Sequence, residues 1–422
     1  MQYKQLELKK GIKLHTIKSD KFKTDLISVF LTVKLNREEV TKNALIPSVL
    51  RRGSKNMQTQ EKINKELEEL YGASFDCGLD KAGDNQVLKF YMETINDNYL
   101  PETNENILKL SLEKLLELVF DPYLENDCFS KEYVEQEKNN LRNIIESKID
   151  NKARYALDRC IEEMYKNEPF GLYKFGYVED LDKISENDLY KAYQEVIKNS
   201  KIDIFITGNI DENIIEELKK NDNIRKLQDR EPKYEAHKIE RREPKKENTI
   251  TESMDVMQGK LVIGLNINID NEKDKYIVLM YNNILGGSAT SKMFQNIREK
   301  EHLAYVANSM YFRHKNAIFI NCGIEIENYD KTLNLTKQQL DDMKKGNFTE
   351  EDINNSKKGI IATIKGIEDE QDTMITYCFG QELSQTEVTL EEYKDIIEGI
   401  SKEQIVNIAN RVDINTVYFL KN

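Results

Sequence analysis

An internal duplication constrains the fold of this chain more than any other feature. Apolar and polar residues alternate from Ile27 to Leu35, and the same alternation returns from Leu261 to Ile269, 234 residues later. This period of two is typical of a half-buried β-strand. Tyr71 recurs as Tyr305 at the same offset, and so does a Gly-Ser dipeptide. We interpret the front of each half as a copy of one unit.

The back of each half repeats as well, at a shorter offset. Ile184-Ser185 matches Ile400-Ser401, 216 residues later. Both Ser residues begin a capping-box pattern, in which the Ser and the residue three positions on satisfy the first N–H groups of a helix. Each predicted helix leads into a predicted strand, at 202–207 and 416–420. Two copies of this length indicate a domain duplication rather than a solenoid.

The duplication predicts an α+β protein with two tandem homologous α/β halves. We expect each half to form a mixed or antiparallel sheet with helices packed on one face, because strand and helix periods both occur in each half. Residues 223–247 are dense in Arg, Lys and Glu, which predicts a solvated, charged linker. The predicted domains are therefore 1–222 and 248–422.

Composition excludes several classes of function. Of the 422 residues, 39% are hydrophobic and 32% are charged, which is typical of a soluble globular chain. The net charge of -13 argues against a general attraction to nucleic acid or to an anionic membrane. We find no membrane-length apolar run and no signal peptide. The five Cys are widely spaced, so we expect reduced thiols and a cytoplasmic location.

The candidate binding residues follow a pair of glycines. Gly286-Gly287 predicts a tight turn, because glycine reaches positive φ at little cost, and Ser288 or Thr290 then caps the next helix. Arg298 lies near the end of that helix, and Tyr305 follows after a break. The pair is spaced to present a cation and a phenol hydroxyl to one ligand. On spacing alone, the alternative is a structural Arg and a half-buried Tyr.

No catalytic constellation emerges from the residues alone. A zinc site built from His needs two or three converging imidazoles, commonly at i and i+4 of one helix, and the four His of this chain show no such pair. A Gly-x-Ser-x-Gly elbow and a phosphate-binding loop with its Lys are also missing. Carboxylate pairs are too frequent in so acidic a chain to be specific.

A resemblance to a known family adds to this reading. The run Arg-Glu-Lys-Glu-His-Leu-Ala-Tyr from Arg298 to Tyr305 resembles the second-half signature of the pitrilysin/insulinase zinc peptidases, in their processing-peptidase-like branch. The run Leu-Val-Phe-Asp-Pro from Leu118 to Pro122 is similar to the family too. The resemblance spans nearly the whole chain, and it implies two α/β halves that form a clam-shell.

The first-half signature of that family is altered in this chain. The family has an inverted zinc motif, His-x-x-Glu-His, where this chain has Ala44, Pro47 and Ser48 at the three functional positions. Ile144 aligns with the third metal ligand, which is a Glu in the family. An aliphatic side chain neither binds zinc nor moves a proton, so we expect no metal in this chain and no enzymatic activity of its own.

In two-subunit members of the family, one subunit brings zinc and the other an Arg and a Tyr that contact the substrate backbone and the oxyanion. The resemblance assigns these roles to Arg298 and Tyr305, in a heterodimer with a zinc-bearing His-x-x-Glu-His partner and a peptide substrate. His302 departs from the family, which usually has Gly there.

The N-terminal half is similar to a narrower group of inactive bacterial homologues. The group is named for its association with the 5-aminopentanol modification of elongation factor P in Gram-positive bacteria, and the similar runs are 44–53 and 68–74. The alternative function is therefore a peptide-binding or scaffold protein without proteolysis, linked to that modification. An autonomous enzyme with an unrecognised site ranks third.

Overall fold

The computed structural model describes residues 2–100, 106–210, 213–239, 241–243 and 246–422, so Glu240, Pro244 and Lys245 of the predicted linker lie outside the described residues. The strands are β1 (Gln2–Lys9), β2 (Ile12–Lys18), β3 (Thr24–Lys34), β4 (Ser74–Ala82), β5 (Asn85–Ile95), β6 (Lys201–Gly208), β7 (Asn248–Ser253), β8 (Gly259–Ile267), β9 (Ala304–Phe312), β10 (Ala317–Ile324) and β11 (Val412–Lys421).

The α-helices are α1 (Val40–Leu50), α2 (Gln60–Glu69), α3 (Ile107–Phe120), α4 (Lys131–Glu146), α5 (Lys152–Met164), α6 (Val178–Leu181), α7 (Glu186–Asn199), α8 (Asn213–Lys220), α9 (Asp222–Lys226), α10 (Asp274–Asn282), α11 (Tyr329–Lys345), α12 (Glu350–Gly366), α13 (Gln371–Ser384), α14 (Leu390–Gly399) and α15 (Lys402–Ala409). Two π-helical segments, Asn283–Gly287 and Phe294–Lys300, follow α10. None of the described helices is long and apolar enough to cross a membrane. The capping boxes predicted at Ser185 and Ser401 are confirmed.

The chain divides into two compact units, neither of which is continuous in sequence. Unit 1 consists of Met1–Glu146, Leu172–Ala236 and Glu368–Glu382. Unit 2 consists of Ser147–Gly171, His237–Ile367 and Leu383–Asn422. Helix α5 of the first half therefore belongs to unit 2, and most of α13 belongs to unit 1. The domain boundaries at 222 and 248 stay a prediction, and sequence patterns did not reveal this helix exchange.

Unit 1 is built on a mixed sheet in the order β1-β2-β6-β3-β5-β4. Neighbouring strands are antiparallel except β2 and β6, which run parallel. Strand β3 is the predicted first strand, and Val29 lies between Phe90 and Ile204 of its two neighbours. Its residues Ile27, Val29 and Leu31 join the main core, which includes apolar residues of α1, α3, α4 and α7.

Helix α13 covers the opposite face of this sheet. Phe30 of β3 and Phe205 of β6 lie on that face, and Phe379 of α13 packs edge-on against them, with ring centroids 5.0 and 6.3 Å away. The Gln371 amide donates to the carbonyls of Thr24 and Thr207, each at 3.0 Å. The helix is thus held by the side chains and by the backbone of the sheet.

Buried charges anchor the far end of α13. Asp203 is fully buried, accepts from His15 Nε2 at 2.9 Å and is paired with Lys201. Lys201 Nζ also lies 3.1 Å from Glu382 of α13. Burial alone raises the pKa of Asp203, but Lys201 and His15 outweigh it and hold that pKa below its ordinary value. Because an unpaired buried charge is costly, this cluster fixes α13 in one position.

In the residues described, the sheet of unit 2 repeats that of unit 1 without a counterpart of β1. The order is β7-β11-β8-β10-β9, and the parallel pair is β7 with β11. Ile263 of β8 lies between Ile320 and Val417, as Val29 does in unit 1. The sheet order and register confirm the α+β fold predicted from the duplication.

Helix α5 covers the second face of this sheet, as α13 does in unit 1. A Cβ at Gly264 of β8 would lie 2.6 Å from Met164 Sδ, so the glycine permits the close approach of the helix. Glu252 of β7 accepts hydrogen bonds from Tyr155 of α5 at 2.6 Å and from Tyr418 of β11 at 2.7 Å. These bonds fasten α5 to two strands.

Part of the predicted linker packs on unit 1 rather than forming a solvated tether. Arg230 is only 7% exposed, and its amide donates to the Lys10 carbonyl at 3.1 Å. The amide of Lys233 donates to the Asn199 carbonyl at 2.7 Å. The charged composition of this segment predicts a solvated linker. Its backbone hydrogen bonds and the buried guanidinium of Arg230 instead hold it against the rest of unit 1.

We predict that Phe379→Ala lowers the free energy of unfolding by about 3–5 kcal/mol, because the lost ring leaves a cavity between α13 and the sheet. Urea denaturation followed by circular dichroism measures the change. The control is Tyr99→Ala, whose ring is 50% exposed and which we expect to shift stability by under about 1 kcal/mol. Equal effects of the two variants would contradict the packing of α13 on this sheet.

A pH dependence follows from Asp25, which is 1% exposed and bound by the amide of Asn209 and the side chain of Asn96. Burial raises the pKa of Asp25 to about 6. The folded state therefore binds the extra proton between about pH 4 and 6, and stability falls by about 3 kcal/mol as pH rises through that window. We expect Asp25→Asn to flatten this decline in urea titrations, and the exposed Asp369→Asn to leave it unchanged. A decline that persists in Asp25→Asn would contradict the assignment.

Candidate functional site

The helix that carries Arg298 begins after Ser291. The Ser291 hydroxyl accepts from the amide of Phe294 at 3.4 Å, so the predicted caps at Ser288 and Thr290 are wrong. Met293 and Ile297 are fully buried, so this helix packs its apolar side chains into unit 2. From Phe294 the helix widens into the π-helical form, which is found frequently at functional sites.

The two glycines before this helix serve a different purpose from the predicted turn. Neither has positive φ, and both lie in the π-helical segment Asn283–Gly287. A Cβ at Gly286 would lie 2.6 Å from Ser309 Oγ and 2.8 Å from Ser309 N, so glycine lets the segment touch β9. Ser309 Oγ also donates to Asn282 Oδ1 at 2.7 Å. The glycine thus sets the distance between the helix and β9.

Arg298 is presented on the surface of unit 2. Its side chain is 44% exposed, and its guanidinium lies over the ring of Phe294 at 4.7 Å from the centroid. The nearest acidic oxygen is Glu299 Oε1, 3.6 Å from Nε. Among the residues that the structure describes, one ring and one loose ion pair contact the guanidinium, so most of its N–H groups remain available to a ligand.

Tyr305 lies at the start of β9, next to the segment of Arg298. It is 60% exposed, and its hydroxyl donates to Glu325 Oε1 at 3.1 Å. That hydrogen bond raises the pKa of the Tyr305 phenol above its ordinary value. At neutral pH the phenol therefore keeps its proton and acts as a donor. The structure places the two predicted binding residues on adjacent elements of one unit.

The backbone explains the departure at His302. This residue has φ of 52°, in the left-handed region that glycine adopts without strain and His adopts less readily. In unit 1 the corresponding turn has positive φ at Tyr71 and Gly72. Tyr71 lies in that turn before β4, whereas Tyr305 lies within β9. The predicted equivalence of Tyr71 and Tyr305 is therefore wrong in structure.

The altered zinc-motif positions lie in unit 1, on the packed helices α1 and α4. Ala44 and Pro47 are buried in α1, Ser48 is half-buried, and Ile144 of α4 is 44% exposed. Pro47 lies inside the helix, where it has no N–H to donate to the preceding turn. The four positions therefore lie on two neighbouring helices. None of their side chains is a Cys, His, Asp or Glu, which are the residues that bind zinc in proteins.

Two polar groups near these positions are already engaged. Glu137 of α4 accepts from Arg52 Nε at 2.5 Å and from Asn140 at 3.1 Å. The Cys77 thiol donates to the Pro47 carbonyl at 3.3 Å, and burial raises its pKa to about 12. A protonated thiol and an Arg-paired carboxylate do not hold a metal.

Zinc therefore does not fit the residues present. In the described part of the chain, no group of three or more His, Cys, Asp or Glu side chains is placed to hold a metal. Sequence reasoning missed the pairing of Arg52 with Glu137, because these residues are 85 positions apart. It also missed the π-helical form of Asn283–Gly287 and Phe294–Lys300, which no pattern in the sequence marks.

We predict that His302→Gly raises the free energy of unfolding by about 0.5–1 kcal/mol, because glycine relieves the positive φ. His302→Val, which is branched at Cβ, should lower it by at least as much. Thermal denaturation of the three proteins measures the order Gly, His, Val. An order with Gly lowest would show that the His302 side chain contributes more than its backbone strain costs.

Several known proteins are similar to this chain in sequence and fold. Residues 183–360 match the family described as Peptidase M16 inactive domain. A crystal structure of a conserved protein from Enterococcus faecalis V583 is 28% identical and superposes with a TM-score of 0.92, over 100% of this chain and 99% of that chain.

Two relatives come from Bacillus subtilis (strain 168). YmxG, named an uncharacterized zinc protease, is 22% identical over 288 residues, covering 67% of this chain and 69% of the relative. YmfF, named a probable inactive metalloprotease, is 34% identical over 414 residues, covering 97% of this chain and 96% of the relative. This identity across almost the whole length shows that the chain belongs to the M16 peptidase family, as an inactive homologue.

Proposed function

We propose that this protein is the non-catalytic subunit of a heterodimeric zinc peptidase and supplies Arg298 and Tyr305 to the active site of a His-x-x-Glu-His partner. The observation that carries the proposal is the contrast between the two units. Unit 2 presents an exposed guanidinium and an exposed phenol on adjacent elements. Unit 1 offers no ligand at Ala44, Pro47, Ser48 or Ile144.

The relatives support a partner of this kind. The organism of YmfF, the probable inactive metalloprotease, also has YmxG, which is named a zinc protease. The presence of both homologues in one organism is compatible with a heterodimer of this type. We further propose that the complex is cytoplasmic, and that the chain belongs with the inactive homologues linked to the 5-aminopentanol modification of elongation factor P.

The chemistry proposed for the two side chains is electrostatic. When a peptide carbonyl is attacked, negative charge develops on its oxygen, and donors already aimed at that oxygen lower the barrier. Tyr305 would exchange its hydrogen bond to Glu325 for one to the oxyanion, and Arg298 would hold the peptide backbone. A zinc ion held by the partner would supply the activated water, and this chain would position the substrate.

A peptide-binding scaffold without proteolysis is the second candidate. It is favoured by the exposed apolar side chains that follow Tyr305 on β9, where Val306 is 49% and Met310 38% exposed. Such side chains bind peptides without any need for a catalytic group. In that case a complex with the companion binds peptides and cleaves none.

The test begins with affinity purification of the protein from its native cell, followed by mass spectrometry. We expect a near-stoichiometric companion that carries His-x-x-Glu-His. The reconstituted pair should cleave unstructured peptides, and Arg298→Gln or Tyr305→Phe should each lower kcat by about 10²–10³, the usual cost of losing one oxyanion donor.

Matched control variants distinguish a direct role of Arg298 and Tyr305 in the reaction from a general effect of such substitutions on protein stability. Arg225→Gln and Tyr71→Phe change the same chemical groups on exposed residues of unit 1, and we expect both to leave kcat unchanged. Recovery of no companion, or full activity of the Arg298 and Tyr305 variants in the pair, would overturn the proposal. Tight peptide binding without cleavage would instead support the scaffold.

A further inference from the structure

A chain of hydrogen bonds in unit 1 joins a buried carboxylate to a phenol on the outermost strand. Asp203 of β6 and His15 of β2 are both fully buried, and His15 Nε2 lies 2.9 Å from Asp203 Oδ1. On the other side of the same ring, His15 Nδ1 lies 2.7 Å from the hydroxyl oxygen of Tyr3 in β1. We call these three side chains the relay. All three belong to unit 1.

The register of three neighbouring strands brings the relay together. His15 lies opposite Gln5 of β1 and opposite Phe205 of β6. Tyr3 and Asp203 are each two positions away from those residues, so they lie on the same face as His15 and within reach of it. The imidazole stacks on Phe205, with ring centroids 4.3 Å apart, and on Tyr3, with centroids 6.0 Å apart. The sheet therefore holds the imidazole in one orientation.

The charge on Asp203 decides which nitrogen of His15 carries the hydrogen. Burial raises the pKa of Asp203, but the charge of Lys201 and the hydrogen bond from His15 outweigh it, so the carboxyl is ionised at neutral pH. An ionised carboxylate can only accept hydrogen bonds, so His15 Nε2 must be the donor. In a neutral imidazole the other nitrogen, Nδ1, then has a lone pair and accepts from the Tyr3 hydroxyl.

The charges around the relay balance when His15 is neutral. Lys201 is paired with Asp203, and its Nζ lies 3.1 Å from Glu382. Lys13 Nζ lies 2.8 Å from the same Glu382. Two ammonium groups thus face two carboxylates, and an imidazolium at His15 would add a buried cation in excess, which is costly. The imidazole is therefore neutral at rest, and Asp203 offsets the positive charge that develops on it during a proton transfer.

This is the arrangement that activates hydroxyl nucleophiles. Such sites have a hydroxyl and a base within about 2.6–3.2 Å of each other, and a third group that orients the base. The distances at His15 satisfy both conditions. Tyr3 is half-buried and lies on β1, the last strand of the described sheet, whereas His15 and Asp203 have no exposed surface. The phenol is therefore the member of the relay that a reagent can reach.

We propose that Tyr3 is a nucleophile that accepts an acyl group from an activated ester, with His15 as its base and Asp203 as a positioning residue. The Tyr3 oxygen attacks the ester carbonyl carbon, and its proton passes to His15 Nδ1. The bond from that carbon to the leaving oxygen then breaks. The leaving group departs with the bonding electrons, and His15 returns the proton to it or to solvent. The products are an acyl ester of Tyr3 and the alcohol of the donor.

An acyl donor fits the relay better than a phosphoryl donor. A phosphoryl group carries negative charge, and its transfer requires cations that neutralise this charge. Both nearby ammonium groups, Lys13 and Lys201, are already engaged by carboxylates. An uncharged acyl ester needs no such cation. The proposal concerns unit 1 alone and does not depend on the proposed peptidase role.

The experiment treats the isolated full-length protein with p-nitrophenyl acetate at neutral pH and locates acetyl groups by peptide mass spectrometry. We expect Tyr3 to be acetylated about 100-fold faster than Tyr99, since a positioned base contributes at least about that factor. Tyr99 is a suitable reference because its ring is 50% exposed. Tyr3→Phe removes only the hydroxyl and should abolish the fast release of p-nitrophenolate.

A substitution at His15 tests the base. In His15→Gln the amide can still donate to Asp203 and accept from Tyr3, so the hydrogen bonds that hold the fold are kept, but an amide does not take up a proton. We expect Tyr3 to be acetylated in this variant no faster than Tyr99. The control is His302→Gln, which makes the same change at an exposed residue of unit 2 and should leave the rate at Tyr3 unchanged. Thermal denaturation checks that both variants are folded.

The positioning role of Asp203 has a spectroscopic signature. In protein labelled with ¹⁵N-histidine, NMR at neutral pH should show His15 as a neutral imidazole with its hydrogen on Nε2. An imidazolium, or a hydrogen on Nδ1 alone, would overturn the proposal. So would equal acetylation rates at Tyr3 and Tyr99, or fast acetylation of Tyr3 that survives in His15→Gln.

The rate ratio and the tautomer are both measured on the wild-type protein, so they decide the matter even if His15→Gln is unstable. No partner and no peptide are present in these measurements. A negative result therefore concerns the relay alone, while the Arg298 and Tyr305 variants in the complex test the proposed function.

Discussion

The structure depends on the need to cover both faces of two apolar sheets. Strands such as β6 are buried along their whole length, so a single layer of helices would leave an apolar face in water. In each unit a helix from the other half of the chain covers the second face. Phe379 of α13 packs on Phe30 and Phe205, and Met164 of α5 lies against Gly264. Neither half of the sequence therefore encodes a complete core.

At the altered zinc-motif positions, both the chemical nature of the side chains and their packing differ from what a metal site requires. Ala44 and Pro47 make α1 a core helix, where a metalloenzyme would need charged or imidazole ligands. The acidic Glu137 remains on α4 with 9% of its side chain exposed, and such a carboxylate is costly without a cation. Arg52 supplies that cation. An internal ion pair thus neutralises this carboxylate, which lies on the same helix as Ile144.

Sequence patterns correctly predicted the features that depend on interactions between residues close together in the chain. Strands β3 and β8 follow from period-two alternation, and the capping boxes at Ser185 and Ser401 follow from side chains three residues apart. The exchange of α5 and α13 depends on contacts between residues far apart in sequence, so no local pattern marks it. At the candidate site, the family resemblance pointed to Arg298 and Tyr305. It did not explain why glycine occupies position 286 or why His302 departs from the family. Those reasons are a close approach to Ser309 and a positive φ, which only the backbone shows.

Stability does not account for the exposed polar side chains at the candidate site of unit 2. Within the described parts of the chain, Arg298 contacts one ring and one exposed carboxylate, and Tyr305 donates a hydrogen bond to the exposed Glu325. Exposed pairs of this kind contribute little to folding. In unit 1, by contrast, the buried charges at Asp203 and Glu137 are each paired and hold helices in place. The fold thus pairs its charges where packing needs them, whereas the two exposed donors of the candidate site remain accessible to a ligand.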